Sequence, residues 1–226
     1  MLKLVAALIA VCLLALPSVA ATAVERSSRI SPIPDDLWRS MQGVSWHDDV
    51  PGCGRGRCKC PRRGELVLLS IPYVDFEGKE KTGRMVVHRD VAAEVLAIFE
   101  DLHRQKYPIN SIRLIDDFHG DDDASMAANN TSAFNCRLVP GSAALSMHSQ
   151  GRAVDINPVQ NPFIWRGTVR PPSGASFDGK AERIKRKPGV ITAGDGVTTA
   201  FSKRGWKWGG DWFSMKDYQH FFRGVR

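Results

Sequence analysis

Two short segments in the C-terminal half of the chain contain the residue types of a hydrolytic metal site. The first contributes His148 and Asp155, and the second contributes Asp217 and His220. A hydrolytic zinc ion needs three protein ligands and one open position for water, and two histidines with one aspartate leave the ion positive enough to acidify that water. The residue types therefore predict a zinc site and one further carboxylate, Asp217, that is free to move protons.

The spacing within each segment favours a shared site. The first histidine and aspartate lie on either side of Gly151, and the alternation of residues 153–156 is typical of a strand. A turn at Gly151 could bring both side chains toward one point. Asp217 and His220 are three residues apart, so either a helical turn or a bend between strands would place them on one side.

These segments resemble the signature of the D-alanyl-D-alanine carboxypeptidase-like zinc metallopeptidases, S-x-H-x-x-G-x-A-x-D followed later by [DE]-x-x-H. All five fixed positions of the first motif are present at residues 146–155. The Trp-Gly-Gly-Asp-Trp sequence at residues 208–212 is also similar to the endopeptidase branch of that family, found in phage endolysins and bacterial cell-wall hydrolases. The resemblance covers roughly residues 63–226.

Carried over position by position, the resemblance implies zinc ligands at His148, Asp155 and His220 and a general base at Asp217. We expect an α+β fold in which a small antiparallel sheet carries the zinc site and helices pack on one face. In the alternative interpretation, Asp155 only caps a turn and Asp217 only caps a helix. This is weaker, because both would have to fall in register with the two histidines by chance.

The resemblance also implies residues that bind the substrate. Arg137 and Ser146 would hold substrate oxygens, with Arg113 as a competitor for the role of the arginine. The implied substrate is a peptidoglycan stem peptide, cut by an endopeptidase in preference to a D-Ala-D-Ala carboxypeptidase. The alternative is a zinc-bearing but non-catalytic module for cell-wall binding or signalling.

The N-terminus has the pattern of a secretory signal peptide, residues 1–23. Lys3 precedes an apolar stretch at residues 4–16 and a small-residue tail, with cleavage after Ala20 or Ala23. The apolar stretch is short for a membrane span, so we expect no stable membrane anchor. We expect a monomeric protein exported to the periplasm or the extracellular space.

Four cysteines remain after signal removal, namely Cys53, Cys58, Cys60 and Cys136. In an oxidising compartment an even number predicts two disulfides, for which three pairings are possible. We favour one bridge among the three clustered cysteines and one from that cluster to Cys136. A zinc cluster of all four thiolates is the rival, but the spacing fits structural zinc poorly.

The chain is basic, with a formal net charge of +7. Such a charge favours polyanions, which for an exported protein include anionic cell-wall polymers as well as DNA. The basic residues are dispersed or grouped in loops, without a recognition helix or an aromatic RNA-binding signature, so no nucleic-acid partner is predicted.

Residue patterns also predict the order of elements. Residues 24–62, rich in Pro, Gly, Arg and Cys, form an extended arm before a peptidase domain at 63–226. That domain starts with strands near residues 65–71 and 82–88. The next predicted element is an amphipathic helix from Asp90 to about Tyr107. A strand at 112–115 and a short helix at 196–203 follow it.

Residues 158–190 are rich in proline and glycine and predict a long irregular insertion that could roof the cleft. Four of the six tryptophans, Trp165, Trp206, Trp208 and Trp212, could line a substrate groove or pack in the core.

Overall fold

The computed structural model describes residues 28–54, 58–179, 183 and 187–224. The predicted signal peptide, residues 1–23, lies outside the described residues. Within the described part of the chain, no helix is long and apolar enough to cross a membrane.

The described strands are β1 (Arg29–Ser31), β2 (Leu66–Val74), β3 (Glu80–His88), β4 (Ser111–Ile112), β5 (Asn130–Thr131), β6 (Ala153–Asp155), β7 (Phe163–Trp165), β8 (Thr168–Arg170), β9 (Lys207–Trp208), β10 (Lys216–Asp217) and β11 (His220–Phe222). The described α-helices are α1 (Asp35–Met41), α2 (Arg89–Arg104), α3 (Asp122–Ala127) and α4 (Gly196–Ser202). These elements confirm the predicted α+β class. The strands form small antiparallel sheets in the orders β1-β2-β3, β10-β7-β8 and β6-β11-β9, together with a parallel pair, β4-β5.

The β2–β3 hairpin and α2 form the framework behind the site, as the sequence predicts. The apolar side of α2 is buried at Val91, Val95, Ile98 and Phe99 among other positions. His88 is the N-cap of α2, because its Nδ1 accepts a hydrogen bond from the backbone N–H of Asp90.

The sheet β6-β11-β9 positions the predicted ligands. Asp155 on β6 lies directly opposite His220 on β11, and the next pair is Val154 with Phe221. Because side chains alternate along strands, the second pair points away from the first and enters the main core. There Phe221 stacks on Phe201 of α4 at a centroid distance of 3.9 Å. Helical residues thus cover the face of this sheet that is opposite the ligands.

Residues 28–54 are more structured than the extended arm that the composition predicts. β1 pairs with β2, and α1 buries Leu37 and Met41 in a second core cluster with Leu66 and Phe134. The disulfides Cys53–Cys58 and Cys60–Cys136 follow the pairing that we favoured. The predicted boundary at residue 62 between the arm and the peptidase domain stays a prediction. The described residues before it share a sheet and a core cluster with residues after it.

Two predicted elements differ from the structure. The strand at 112–115 is shorter, because the side chain of Asn130 hydrogen bonds to both the N–H and the carbonyl of Arg113 and replaces a neighbouring strand. The irregular insertion instead contains the β7–β8 hairpin. Its two-residue loop, Arg166-Gly167, has positive φ at both positions, as a tight hairpin turn requires.

Candidate metal centre and catalytic cleft

The structure brings the three predicted ligands together in a buried cluster. His148 Nε2 lies 3.2 Å from Asp155 Oδ2, and His220 Nδ1 lies 2.9 Å from Asp155 Oδ1. The two imidazole nitrogens are 3.1 Å apart. Within the described chain, these three residues form a group whose ligand atoms all lie within 4.8 Å of one another.

The fixed residues of the first motif explain how His148 reaches this cluster. His148 lies in a single 3-10 turn, Met147–Gln150, and the hydroxyl of Ser146 caps that turn by accepting from the His148 N–H. Gly151 ends the turn with a φ of 63°, in the left-handed region. A Cβ at that position would lie 2.6 Å from the backbone nitrogen of His88, so a side chain there would collide with the β3–α2 junction.

A backbone carbonyl fixes the protonation of His148. Its Nδ1 lies 2.5 Å from the carbonyl oxygen of Ala133, and because a carbonyl can only accept, Nδ1 carries the proton. In the neutral imidazole Nε2 is therefore the unprotonated nitrogen, which faces Asp155 and is available as a ligand. Ala133 is held in place because its neighbour Ser132 exchanges two backbone hydrogen bonds with Asp155.

The donor set and its spacing fit a zinc ion. Atoms that bind tetrahedral zinc at about 2.0–2.2 Å lie roughly 3.3–3.6 Å from one another. The two imidazole nitrogens are 3.1 Å apart, and each lies within 3.2 Å of a different oxygen of the Asp155 carboxylate, so the three side chains converge on a space of about that size. Two imidazoles and one carboxylate also leave a fourth position free, as catalytic zinc sites require.

Electrostatics within the cluster favour an ionised ligand. Burial alone raises the pKa of Asp155, but the charges and hydrogen bonds of His148 and His220 outweigh burial and hold that pKa well below its ordinary value. For His148, burial lowers the pKa and the neighbouring carboxylate more than compensates. The carboxylate of Asp155 is therefore charged at any pH at which a cation would bind.

Asp217 lies next to this cluster as the last residue of β10, where it is opposite Phe163 of β7. Burial raises the pKa of its carboxyl to about 6, although the charge of His220 opposes the rise. Among the described residues, its Oδ1 is a buried atom with no hydrogen-bond partner. A buried carboxylate oxygen without a partner costs stability, and such groups concentrate at functional sites.

The Trp-Gly-Gly sequence before Asp217 allows the backbone to pass close behind it. A Cβ on Gly209 would lie 2.6 Å from the carbonyl oxygen of Asp217 and 2.8 Å from its Cβ. A Cβ on Gly210 would lie 2.3 Å from the ring of Trp208. Close packing thus excludes a side chain at both glycines, against Asp217 at Gly209 and against the ring of Trp208 at Gly210.

The cluster opens into a cavity of about 570 Å³. Its lining includes all six predicted site residues, namely Arg137, Ser146, His148, Asp155, Asp217 and His220. Apolar side chains form much of the remaining wall, among them Val139, Phe163, Trp165, Trp212 and Phe222. The cavity is large enough for part of a peptide chain.

The two candidate arginines occupy different places. Arg137 lines the cavity, and its Nη2 donates to the carboxylate of Asp122 at 2.5 Å. Arg113 instead pairs with Asp117, is half exposed and lies over the ring of Phe118, outside the residues that line the cavity. The location therefore favours Arg137.

The four tryptophans were predicted either to line a substrate groove or to pack in the core, and the structure shows two in each place. Trp165 and Trp212 line the cavity, whereas Trp206 and Trp208 are buried in the main core. The hairpin that carries Trp165 is the part of the predicted insertion that borders the cleft.

Sequence reasoning missed Arg170 at the end of β8 and the buried Gln219, which both line the cavity. Asp122 at the start of α3 lines it too. Gln219 lies inside the second motif, which was a usable signal. Asp122 was visible within an acidic run, but its pairing with Arg137 depends on the fold.

Comparison with known families supports the resemblance. A family model described as D-alanyl-D-alanine carboxypeptidase matches residues 140–222. The matched segment contains both motifs, and with them the three residues of the buried cluster and Asp217. Arg137 lies just before the matched segment. No curated protein and no solved structure matches the chain. Over residues 140–222 the chain is therefore similar to peptidases of the D-alanyl-D-alanine carboxypeptidase type.

Proposed function

We propose that the protein is an exported zinc peptidase that hydrolyses an amide bond in peptidoglycan stem peptides. The observation that carries this proposal is the buried group His148, Asp155 and His220, whose ligand atoms all lie within 4.8 Å of one another, with Asp217 beside it in an open cavity. The family match supports the peptidase, and the donor set supports zinc.

The proposed metal ligands are His148 Nε2, a carboxylate oxygen of Asp155 and His220 Nδ1. When bound, zinc would acidify a water molecule and polarise the scissile carbonyl. Asp217 accepts a proton from the attacking water, and the new C–O bond forms. The same carboxyl then gives its proton to the leaving amine as the C–N bond breaks.

Asp217 suits this role because its carboxyl lies beside the proposed ligands and lines the same cavity. In the metal-free protein burial raises its pKa to about 6, which makes it a stronger base than an exposed aspartate. The unpartnered Oδ1 is the atom that we assign to proton transfer. A non-catalytic module would have no use for this unpartnered carboxylate oxygen beside the metal ligands.

Arg137 and Ser146 are the proposed substrate-binding residues. The guanidinium of Arg137 lines the cavity beside His148, where it would bind a substrate carboxylate or the developing oxyanion. Ser146 lines the same cavity, although its hydroxyl already caps the turn that carries His148. Its contribution is therefore divided between the turn and the substrate.

Endopeptidase activity is the preferred form of this function, because of the Trp-Gly-Gly-Asp-Trp sequence at residues 208–212. Two disulfides and the N-terminal pattern support export to the periplasm or beyond. We expect the protein to act as a monomer on peptidoglycan.

Digestion of purified peptidoglycan by the zinc-loaded protein tests the proposal, with mass spectrometry of the released ends. New amino termini within the stem peptide would identify an endopeptidase, and free D-alanine would identify a carboxypeptidase. His148→Ala serves as the matched inactive control. No product from the zinc-loaded wild type would refute the peptidase and favour the non-catalytic module.

A further inference from the structure

A buried arginine packs directly against the segment that carries the proposed base. Arg183 is 5% exposed, and its guanidinium carbon lies 3.6 Å from the centroid of the Tyr218 ring. Tyr218 follows Asp217 in the chain. The stacking is a close cation–π contact in a desolvated environment.

Among the described residues, the hydrogen bonds of Arg183 go to uncharged oxygens. Its Nη2 donates to Asn161 Oδ1 at 3.0 Å and to the carbonyl of Ile191. Its Nη1 lies 3.3 Å from the carbonyl of Gln160 and 3.4 Å from that of Phe177. Burial of a cation that has no hydrogen-bonded carboxylate among the described residues is costly, so a role in orienting its neighbours is a better explanation than stability.

Three contacts hold Tyr218 in place, two through its backbone and one through its ring. Its backbone N–H donates to the carbonyl of Pro162 at 3.3 Å, and its own carbonyl accepts from Trp208 Nε1 at 2.9 Å. The ring completes the attachment by stacking on Arg183. A shift of Tyr218 would move Asp217, because a single peptide link joins them.

Arg183 is also connected to the strand that carries a proposed ligand. Asn161, which accepts from Arg183, is fully buried and donates to the carbonyl of Ile156 at 3.1 Å. Ile156 directly follows Asp155, and its N–H donates to the carbonyl of Gln219. One guanidinium thus links the segment of the base to the segment of a ligand.

We infer that Arg183 is a positioning residue, which sets the location of Asp217 relative to the proposed metal ligands by holding Tyr218. This inference rests on the proposed function. The planar, multidentate guanidinium suits the task, whereas a lysine ammonium could not stack flat on the ring while reaching four oxygens.

A double-mutant cycle on turnover tests the inference. Arg183→Lys should lower kcat by roughly 10- to 100-fold, the effect of a small misplacement of a reacting group, with KM and zinc content nearly unchanged. In the Asp217→Asn background the same substitution should cost little more, because the group that it positions is already gone. Equal losses of kcat in both backgrounds would overturn the inference, as would an unchanged kcat in the single variant.

A readout that needs neither zinc nor turnover comes from Trp208. Its indole N–H donates to the carbonyl of Tyr218, so its ¹⁵N–¹H resonance reports the position of that residue. Arg183→Lys should shift this resonance in the metal-free protein. Arg204→Lys is the matched control, since Arg204 also bonds to carbonyls and to Asp101, away from the cavity. The control should leave both kcat and the resonance unchanged.

Variants of Tyr218 keep the test decisive if Arg183→Lys fails to fold. Tyr218→Phe preserves the stacking ring and should behave as the wild type, whereas Tyr218→Leu removes it and should lose kcat with zinc retained. Equal activity of the two would overturn the inference. If the wild type and the Arg204→Lys control both release no product, the proposed function fails, and the Trp208 resonance still shows whether Arg183 sets the position of Tyr218.

Discussion

Replacement of Asp217 by asparagine should make the metal-free protein more stable at high pH. The side-chain volume is nearly unchanged, but the buried ionisable group is lost. In the folded protein the pKa of Asp217 is raised from 3.8 to about 6, with burial as the main cause. An asparagine cannot ionise, so it avoids the cost of a buried charge.

The sign and the size follow from the difference in pKa. Because the folded pKa lies above the unfolded one, the stability from protonated Asp217 is fully present below about pH 4 and is lost as pH rises through about 6. Raising the pKa from 3.8 to about 6 corresponds to about 3 kcal/mol of stability at pH 8. The metal-free variant should therefore exceed the wild type by up to about 3 kcal/mol at pH 8, but by less than about 1 kcal/mol at pH 4.

Urea unfolding of chelator-treated protein at the two pH values would measure this difference. For a chain of this size, 1 kcal/mol corresponds to about 2–4 °C in melting temperature, which gives an independent check. A variant that is less stable than the wild type at pH 8 would refute the reasoning, because the carboxylate would then be making favourable contacts.

The zinc-loaded variant completes the test. Zinc should stay bound, while turnover falls by roughly 10²–10⁴-fold and the acid limb of the pH–rate profile disappears. Loss of zinc would make Asp217 a ligand, and a wild-type rate would make it structural. Among the alternatives for a base, Asp122 would then come first because it lines the cavity, whereas Asp211 does not.

The remaining predictions concern the ligands, the disulfides and a close backbone contact. His148→Ala and His220→Ala should each lose zinc and activity together, and full zinc occupancy by elemental analysis in both would contradict the assignment. The oxidised protein should have no free thiol by mass spectrometry. Reduction of the disulfides should destabilise it by about 2–5 kcal/mol in a melting experiment. Alkylation of all four cysteines without denaturant would argue against the bridges. Gly209→Ala would place a Cβ 2.6 Å from the carbonyl of the proposed base, so turnover should fall roughly 10- to 100-fold with zinc retained. Gly64→Ala is the control, because a Cβ there has no neighbour within 4 Å, and equal activity of the two variants would exclude the proposed displacement.

Local patterns predicted the parts of the fold that depend on local physics. The apolar period of 3.6 residues identified α2, and its predicted buried positions, such as Val95 and Ile98, are buried. The glycine at 151 predicted a turn, and the structure has one there with a left-handed φ. The grouping of His148, Asp155 and His220 followed from residue type and motif spacing together with the family resemblance.

Contacts between distant segments could not be obtained in the same way. The choice between Arg137 and Arg113 depends on which of them reaches the cavity, and neither local sequence contains that information. The β7–β8 hairpin was missed because the many prolines and glycines around it dominated the composition. Its two short strands and the Arg166-Gly167 turn were a signal that closer attention to turn chemistry would have found.

The geometry of the metal centre depends on apolar neighbours as much as on the ligands. Val154 precedes Asp155 and Phe221 follows His220; both point into the core, and both are fully buried. A slip of one residue in the pairing of β6 with β11 would exchange the faces, exposing these side chains in the cleft and burying Asp155 in the core. The stacking of Phe221 on Phe201 opposes that slip. Truncation of a large buried aromatic side chain costs about 3–5 kcal/mol, so a slip that removed Phe221 from the core would be strongly unfavourable. The core therefore specifies the register on which the ligand spacing depends.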